Sequence, residues 1–150
     1  MDQVDQHILL CLQTQARISM TELGKEVGLS QPAVTERVRR MEESGVIQQY
    51  RAVVAPDKIG KYTTAYYLFR AHDGISFVQF CQETAQIVEC HRVSGDYNYL
   101  IKVVTASIMD LEPFEDCITS HGSYTTLITL SSPIDHKSLV PTMSKDQHMI

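Results

Sequence analysis

Apolar positions recur with a helical period through roughly the first 45 residues and then change to an alternating, β-rich pattern, which divides the chain into parts. Val4, Ile8, Cys11 and Leu12 share one helical face. Asp2 or Asp5 stands where a carboxylate meets the positive end of a helix dipole, so a first helix is predicted over about residues 2–15. Ser19 precedes Glu22 by three positions as a capping box and opens a second helix over 20–27, which turns Leu23 and Val27 inward and stops at Gly28. The third segment has both ends specified: Ser30 as N-cap, Pro32 in the first turn, and Gly45 in the left-handed conformation that ends a helix. At about 100° per residue, Val34, Val38 and Met41 fall within about 60° of one another, while Pro32, Thr35, Glu36, Arg39 and Arg40 point the other way. One face packs, and a basic outer face remains.

Val46 to Val54 then reads as a strand leaving the helices, and Pro56, Asp57, Lys58 and Gly60 break it, so the boundary between two units falls at 45–60. From Tyr62 the order is strand, helix, strand, strand, helix, strand, the split β-α-β arrangement of ferredoxin-like domains. Tyr62–Ala71 is the first strand. Ile75, Val78, Cys81 and Gln82 mark a helix. Ile87–Val93 and Tyr99–Thr105 form a hairpin around Ser94-Gly95-Asp96-Tyr97-Asn98, Met109–Ser120 is the second helix, and Tyr124–Leu130 closes the sheet. Four strands with helices on one side leave the other sheet face bare, which predicts self-association. The expected organisation is an α+β chain with a helix-turn-helix over 1–45, a linker strand and hinge over 46–60, a βαββαβ domain over 61–136, and a polar tail over 137–150 ordered by contacts between subunits.

Gly28, Leu29 and Ser30 leave a turn of helix-turn-helix length between the second and third helices, the geometry in which the later helix enters a major groove. Arg37, Arg39 and Arg40 are then candidates for phosphates or guanine edges, and Ser30, Gln31, Pro32, Thr35 and Glu36 line the helix start and its outer side. Gln49 and Arg51 are placed to touch the backbone beside that helix. The competing reading makes these arginines the solvated face of an ordinary three-helix bundle.

The net charge of −5, from 13 basic and 18 acidic residues, argues against indiscriminate polyanion binding. Residues 1–55 hold six of the basic and seven of the acidic residues, so any DNA contact comes from a focused patch. The four cysteines, at 11, 81, 90 and 117, show no C-x-x-C spacing and read as small core residues of a reducing cytoplasm. No run of 18 apolar residues suggests a membrane span. Glu112, Glu115 and Asp116 read as a solvated helix face rather than paired catalytic carboxylates. The six histidines lack metal-ligand spacing, and no phosphate loop or nucleophile elbow is present, so neither an enzyme, a metal nor a cofactor is expected.

Several segments together resemble one family: Asp5-x-x-Ile8-Leu9-x-x-Leu12, Arg17-Ile18-Ser19, Glu22-Leu23, Val27-Gly28-Leu29-Ser30, Val34-x-x-Arg37-Val38, Met41-Glu42-x-x-Gly45-x-Ile47, and Val93-Ser94-Gly95-Asp96-Tyr97-x-Tyr99-Leu100. From about residue 2 to 136 the chain resembles the Lrp/AsnC, or feast/famine, transcription regulators. The resemblance implies a winged-type helix-turn-helix, a βαββαβ domain that dimerises and often assembles dimers into octamers, and a small effector, commonly an amino acid, held between dimers. The matching positions are Gly95, Asp96, Tyr97 and Asn98, with Leu127, Thr129 and Leu130 as neighbours on the last strand. Asp96 can meet an ammonium group, and backbone N–H groups of the Gly95 turn can meet a carboxylate. The alternative for this loop is a structural hairpin with unusual backbone angles. Asn98 and Pro133 stand where the family often carries acidic residues.

Three functions remain open on the sequence. One is a sequence-specific regulator of double-stranded DNA gated by a metabolite, its paired helices reading half-sites about 34 to 36 Å apart. The others are an architectural DNA-wrapping protein that senses nothing, and a metabolite-binding ferredoxin-like domain that uses its helices only to oligomerise.

Overall fold

The computed structural model describes residues 1–142, and the chain divides into two compact units: Met1–Val53 together with the chain from Ile134 onward, and Val54–Pro133. The first unit holds α1 (Gln3–Thr14), α2 (Met20–Val27) and α3 (Gln31–Glu43). Reciprocal capping boxes open the first two. Asp2 Oδ1 accepts from the Asp5 N–H at 2.8 Å while Asp5 Oδ2 accepts from the Asp2 N–H at 3.1 Å, and Ser19 and Glu22 repeat the arrangement at 3.2 Å in both directions. Ile8 and Leu12 of α1, Leu23 of α2, and Val34, Val38 and Met41 of α3 form one buried cluster, each side chain contributing about 1.5–3 kcal/mol of burial.

Two expectations for this unit are corrected. The predicted strand over 46–54 pairs with no other strand among the described residues. It bends at Val46 and Ile47, has no regular structure beyond them and is largely exposed, anchored where the Ile47 N–H donates to the Met41 carbonyl at 3.0 Å and the Tyr50 hydroxyl to Glu42 at 2.8 Å. A strand is made by its ladder, and alternation alone supplies no partner. The tail is the second correction. Gln13 donates through Nε2 to the Leu139 carbonyl at 3.0 Å and accepts at Oε1 from the Leu139 N–H at 2.8 Å, so the described part of 137–150 already has a partner within its own chain. The expectation for residues 143–150 lies outside the described residues.

In the second unit, β1 (Thr63–Ala71), α4 (Gly74–Glu83), β2 (Ile87–Arg92), β3 (Tyr99–Thr105), α5 (Leu111–Ile118) and β4 (Gly122–Ile128) build an antiparallel sheet in the order β2-β3-β1-β4, the predicted α+β arrangement. Alternation sorts the strands: Ala65, Tyr67 and Phe69 of β1 and Tyr99, Ile101 and Val103 of β3 face Phe77 and Cys81 of α4 and Leu111, Phe114 and Ile118 of α5. The rings of Phe69 and Phe77 stack at 4.3 Å, and Tyr67 meets Phe114 edge-on at 5.2 Å. The opposite face carries Tyr66, Leu68, Leu100, Lys102 and Leu127, covered by no helix of this unit.

Three details differ from the sequence reading. The helix predicted over 109–120 is a helix only over Leu111–Ile118, with a 3₁₀ turn at each end, because the Ser107 N–H and hydroxyl close on Asp110 Oδ2 at 2.7 and 2.9 Å ahead of it. Glu115, expected on a solvated face, instead accepts from the hydroxyls of Tyr67 at 3.0 Å and Thr126 at 2.8 Å; burial and this carboxylate together push the Tyr67 phenol well above its ordinary value. The cysteines were expected in the core, yet Cys90 and Cys117 are exposed, Cys11 is half-buried and only Cys81 is buried.

Candidate nucleic-acid interface and ligand loop

The turn between α2 and α3 is closed by two glycines with different duties. Gly28 adopts φ +70°, the left-handed end of α2, and the Leu29 N–H returns to the Gly24 carbonyl at 2.8 Å. Gly24 was not singled out in the sequence. A Cβ built on it would stand 2.7 Å from the Leu29 carbonyl oxygen, so α2 approaches the start of α3 as closely as a residue without a side chain permits. Ser30 has the extended N-cap backbone predicted for it, but its hydroxyl makes no capping bond.

Along α3 the arginines separate into three situations. Arg37 is corrected as a DNA-binding candidate: its Nη1 donates to Asp2 Oδ2 and Asp5 Oδ1, both at 2.7 Å, and the side chain is about three-quarters buried. It ties α3 to the first turn of α1, and those hydrogen bonds hold the guanidinium above its usual range. Arg39 is exposed but doubly occupied, donating to Glu36 at 2.7 and 2.9 Å and to Glu43. Arg40 has only a 3.9 Å approach to Glu36 and is the most open of the three. The outer face is therefore not uniformly basic: Glu36, held below its usual value chiefly by the hydrogen bond from Arg39, interleaves with the two cations. Such exposed pairs contribute little and exchange readily for a phosphate.

Gln31, Pro32, Thr35 and Glu36 are exposed as expected, and the Thr35 hydroxyl donates back to the Gln31 carbonyl at 2.8 Å. Gln49 and Arg51 are exposed on segment 46–54.

The Ser94–Asn98 turn follows β2, with Gly95 at φ +118°. Its contacts come from residues not nominated from the sequence. Arg70 Nε donates to the Asp96 carbonyl at 2.7 Å and its guanidinium lies 5.8 Å from the centre of the Tyr97 ring, while the Tyr97 hydroxyl pairs with Thr125 Oγ1 at 2.8 Å. The Asn98 amide is occupied by Ala71, accepting from its N–H at 2.9 Å and donating to its carbonyl at 3.4 Å. The Asp96 carboxylate is exposed and has no partner among the described residues.

Thr129 and Leu130 are not brought to this loop within one chain, whereas Leu127 lies on the same sheet face two residues from Thr125. Leu127 pairs with Tyr66, the Thr129 N–H reaches the Thr64 carbonyl at 2.9 Å, and Leu130 projects past the end of β4, which was expected to include both 129 and 130. Tyr97 meets β4 at Thr125, and four residues of strand between Thr125 and Thr129 span about 13 Å. Two clefts, of about 830 and 540 Å³, lie along α4 and β2 rather than at this loop. The signal that could have found Arg70 is its position in the alternation of β1, which sets it on the bare sheet face at the strand end next to the loop.

Comparison with known proteins agrees with both halves. Residues 1–42 match the AsnC-type helix-turn-helix domain, and residues 69–139 match the Lrp/AsnC ligand binding domain. The HTH-type transcriptional regulator YezC of Bacillus subtilis is 43% identical over 136 residues, covering 91% of this chain and 98% of that protein. The leucine-responsive regulatory protein of Escherichia coli is 41% identical over 107 residues, 68% of this chain and 65% of that protein. The structure of Bacillus subtilis LrpC superposes with a TM-score of 0.87 at 32% identity, covering 91% of this chain and 99% of that one. A Neisseria meningitidis transcriptional regulator solved with L-Met shares the fold, with a TM-score of 0.88 at 22% identity over 93% of this chain and 96% of that one. A helix-turn-helix joined to a βαββαβ domain, with relatives of this kind, defines a DNA-binding transcriptional regulator. The chain belongs to the Lrp/AsnC family.

Proposed function

We propose that this chain is a cytoplasmic, self-associating regulator that reads double-stranded DNA through the outer side of α3, with Arg40 and Arg39 pairing phosphates or guanine edges and Ser30, Gln31, Pro32 and Thr35 approaching bases and backbone at the helix start. The observation that carries this is the division of labour among the arginines: Arg37 holds the bundle together, and its neighbours stay on the exposed face. Gln49 and Arg51 support the contact from segment 46–54. The uncovered sheet face is the surface for dimers, assembling to an octamer, and among the described residues no helix is long and apolar enough to cross a membrane.

The test is a gel-shift titration on duplexes that the protein itself selects from a random pool. Arg40→Ala is expected to weaken binding roughly 10- to 100-fold, with Arg39→Ala smaller because Glu36 and Glu43 already compete for that cation. Arg37→Ala is expected to lower the melting temperature of the helical unit and leave affinity nearly unchanged where that unit stays folded. Equal losses of affinity from Arg37→Ala and Arg40→Ala would refute the assignment.

An amino acid is the proposed effector, its ammonium group on Asp96 and its carboxylate on the Gly95 turn, with Leu127 as a neighbour and Thr129 and Leu130 supplied by a second chain because one chain does not bring those two to the loop. The lone Asp96 carboxylate and the Neisseria meningitidis complex with L-Met support this reading. Calorimetry against the twenty amino acids is expected to give heat with at least one of them, and Asp96→Ala to remove that heat while basal DNA binding persists. Undiminished ligand heat in the variant removes Asp96 from the site. The occupied Asn98 amide favours a second reading, an effector-free architectural protein, and silence toward all twenty amino acids would establish it.

A further inference from the structure

Cys81 and Cys90 lie on two elements that pack together, the buried side of α4 and the edge strand β2. Nine positions separate them in the chain, yet both line the same cleft between α4 and β2. The register of the sheet brings this about. Ile87 pairs with Val103, but Glu89 pairs with Lys102 and Cys90 with Ile101, so one extra residue is accommodated as a bulge at Val88. Without the bulge, alternation from Ile87 would turn Glu89 and His91 toward α4 and send Cys90 to the bare face. With it, Glu89 meets Lys102 at 3.1 Å on the bare face and Cys90 points at α4. The two sulfur atoms differ in environment: Cys90 is exposed, whereas Cys81 is 6% exposed, and both line a cleft of about 540 Å³ open to small molecules.

We propose that Cys81 and Cys90 are a peroxide-sensitive thiol pair that closes into an intrachain disulfide, fastening the edge strand β2 to α4. The Cys90 thiolate attacks one oxygen of hydrogen peroxide, breaking the O–O bond, forming the sulfenic acid and releasing hydroxide. Cys81 then attacks the Cys90 sulfur, the S–O bond breaks, the S–S bond forms, and the hydroxyl leaves as water with the thiol proton. Two thiols lose two electrons in all, and one peroxide becomes two waters. The order follows from the environments. Burial, with the neighbouring Cys90 thiol adding to it, pushes Cys81 up to about 12, so Cys81 remains a thiol and resolves what the solvent-facing Cys90 begins. The tie would fix β2 immediately ahead of the Ser94–Asn98 turn.

The chain supplies a direct assay, because no lysine or arginine lies between Arg70 and Arg92 and trypsin therefore releases both cysteines in one peptide, 71–92. The full chain carrying Cys11→Ser and Cys117→Ser is treated with hydrogen peroxide, alkylated and digested without reductant. The expected peptide is two hydrogens lighter and unalkylated, stays joined after cleavage at Glu83, and reverts with dithiothreitol. The oxidised protein is also expected to melt several degrees higher than the reduced one, and to lose that gain in Cys81→Ala. Full alkylation of both thiols after peroxide, or oxidation of Cys90 only to sulfinic acid or to a disulfide between chains, would overturn the proposal.

Discussion

Gly122→Ala is expected to destabilise the second unit by about 3 kcal/mol, enough to lower its melting temperature by roughly 10 °C or more. A Cβ at this position would stand 2.1 Å from the Arg70 carbonyl oxygen and 2.9 Å from Cε1 of Phe69. Neither neighbour can retreat cheaply. Arg70 is held near the end of β1, an interior strand of the sheet, where Ser123 is its partner on β4 and Gly122 is opposite Ala71. Phe69 is fully buried, stacked on Phe77 at 4.3 Å and nearly parallel to Tyr124 at 5.9 Å, so moving its ring disturbs the centre of the core. The backbone angle is not the cause, because φ 160° is extended and open to any residue. Urea unfolding followed by tyrosine fluorescence measures the effect, with the exposed neighbour Ser123→Ala as the comparison. A Gly122→Ala midpoint indistinguishable from that of Ser123→Ala would mean the close approach does not exist.

That close approach joins residues on two different strands, which no local pattern in the chain announces. Periodicity found the buried face of α3, because Val34, Val38 and Met41 need only local geometry to fall together, and it found Tyr99–Thr105 as β3 because an alternating strand declares its inward residues. It also found the Ser19–Glu22 capping box, whose partners are three residues apart. Errors arose where a side chain's partner is distant in the chain. Arg37 lies about 40° from Met41 in the helical projection, at the flank of the buried stripe, but its charge groups it with the outer arginines, and only the arrival of Asp2 and Asp5 from α1 turns it into a structural clamp. Glu115 shows the same at the sheet, where Tyr67 and Thr126 reach it from two strands. Segment 46–54 has the composition of a strand and no ladder among the described residues. At the ligand loop, Gly95 and Asp96 were legible as an exposed turn, whereas Arg70 and Thr125, which hold it, became visible only when β1 and β4 were laid side by side.

The recognition unit rests on a similar contact, and there the expected result runs against local propensity. Gly24 lies inside α2, where replacing glycine by alanine ordinarily favours a helix by about 1 kcal/mol. Gly24→Ala is nonetheless expected to lower the melting temperature of the helical unit and to weaken DNA binding about tenfold or more. The new methyl group would meet the Leu29 carbonyl oxygen at 2.7 Å, and that oxygen belongs to the backbone between α2 and α3, two residues ahead of Gln31. Relieving the clash requires the turn to open, which displaces the N-terminal end of α3, where Ser30, Gln31 and Thr35 are proposed to approach the bases. A displacement of that kind penalises every contact on the helix together, unlike Arg40→Ala, which removes one. Lys25→Ala, on the exposed side of the same helix, is the matched control. If Gly24→Ala instead stabilises the unit and binds selected duplexes as tightly as the parent chain, helix propensity governs this position, and the packed turn does not orient the reading helix.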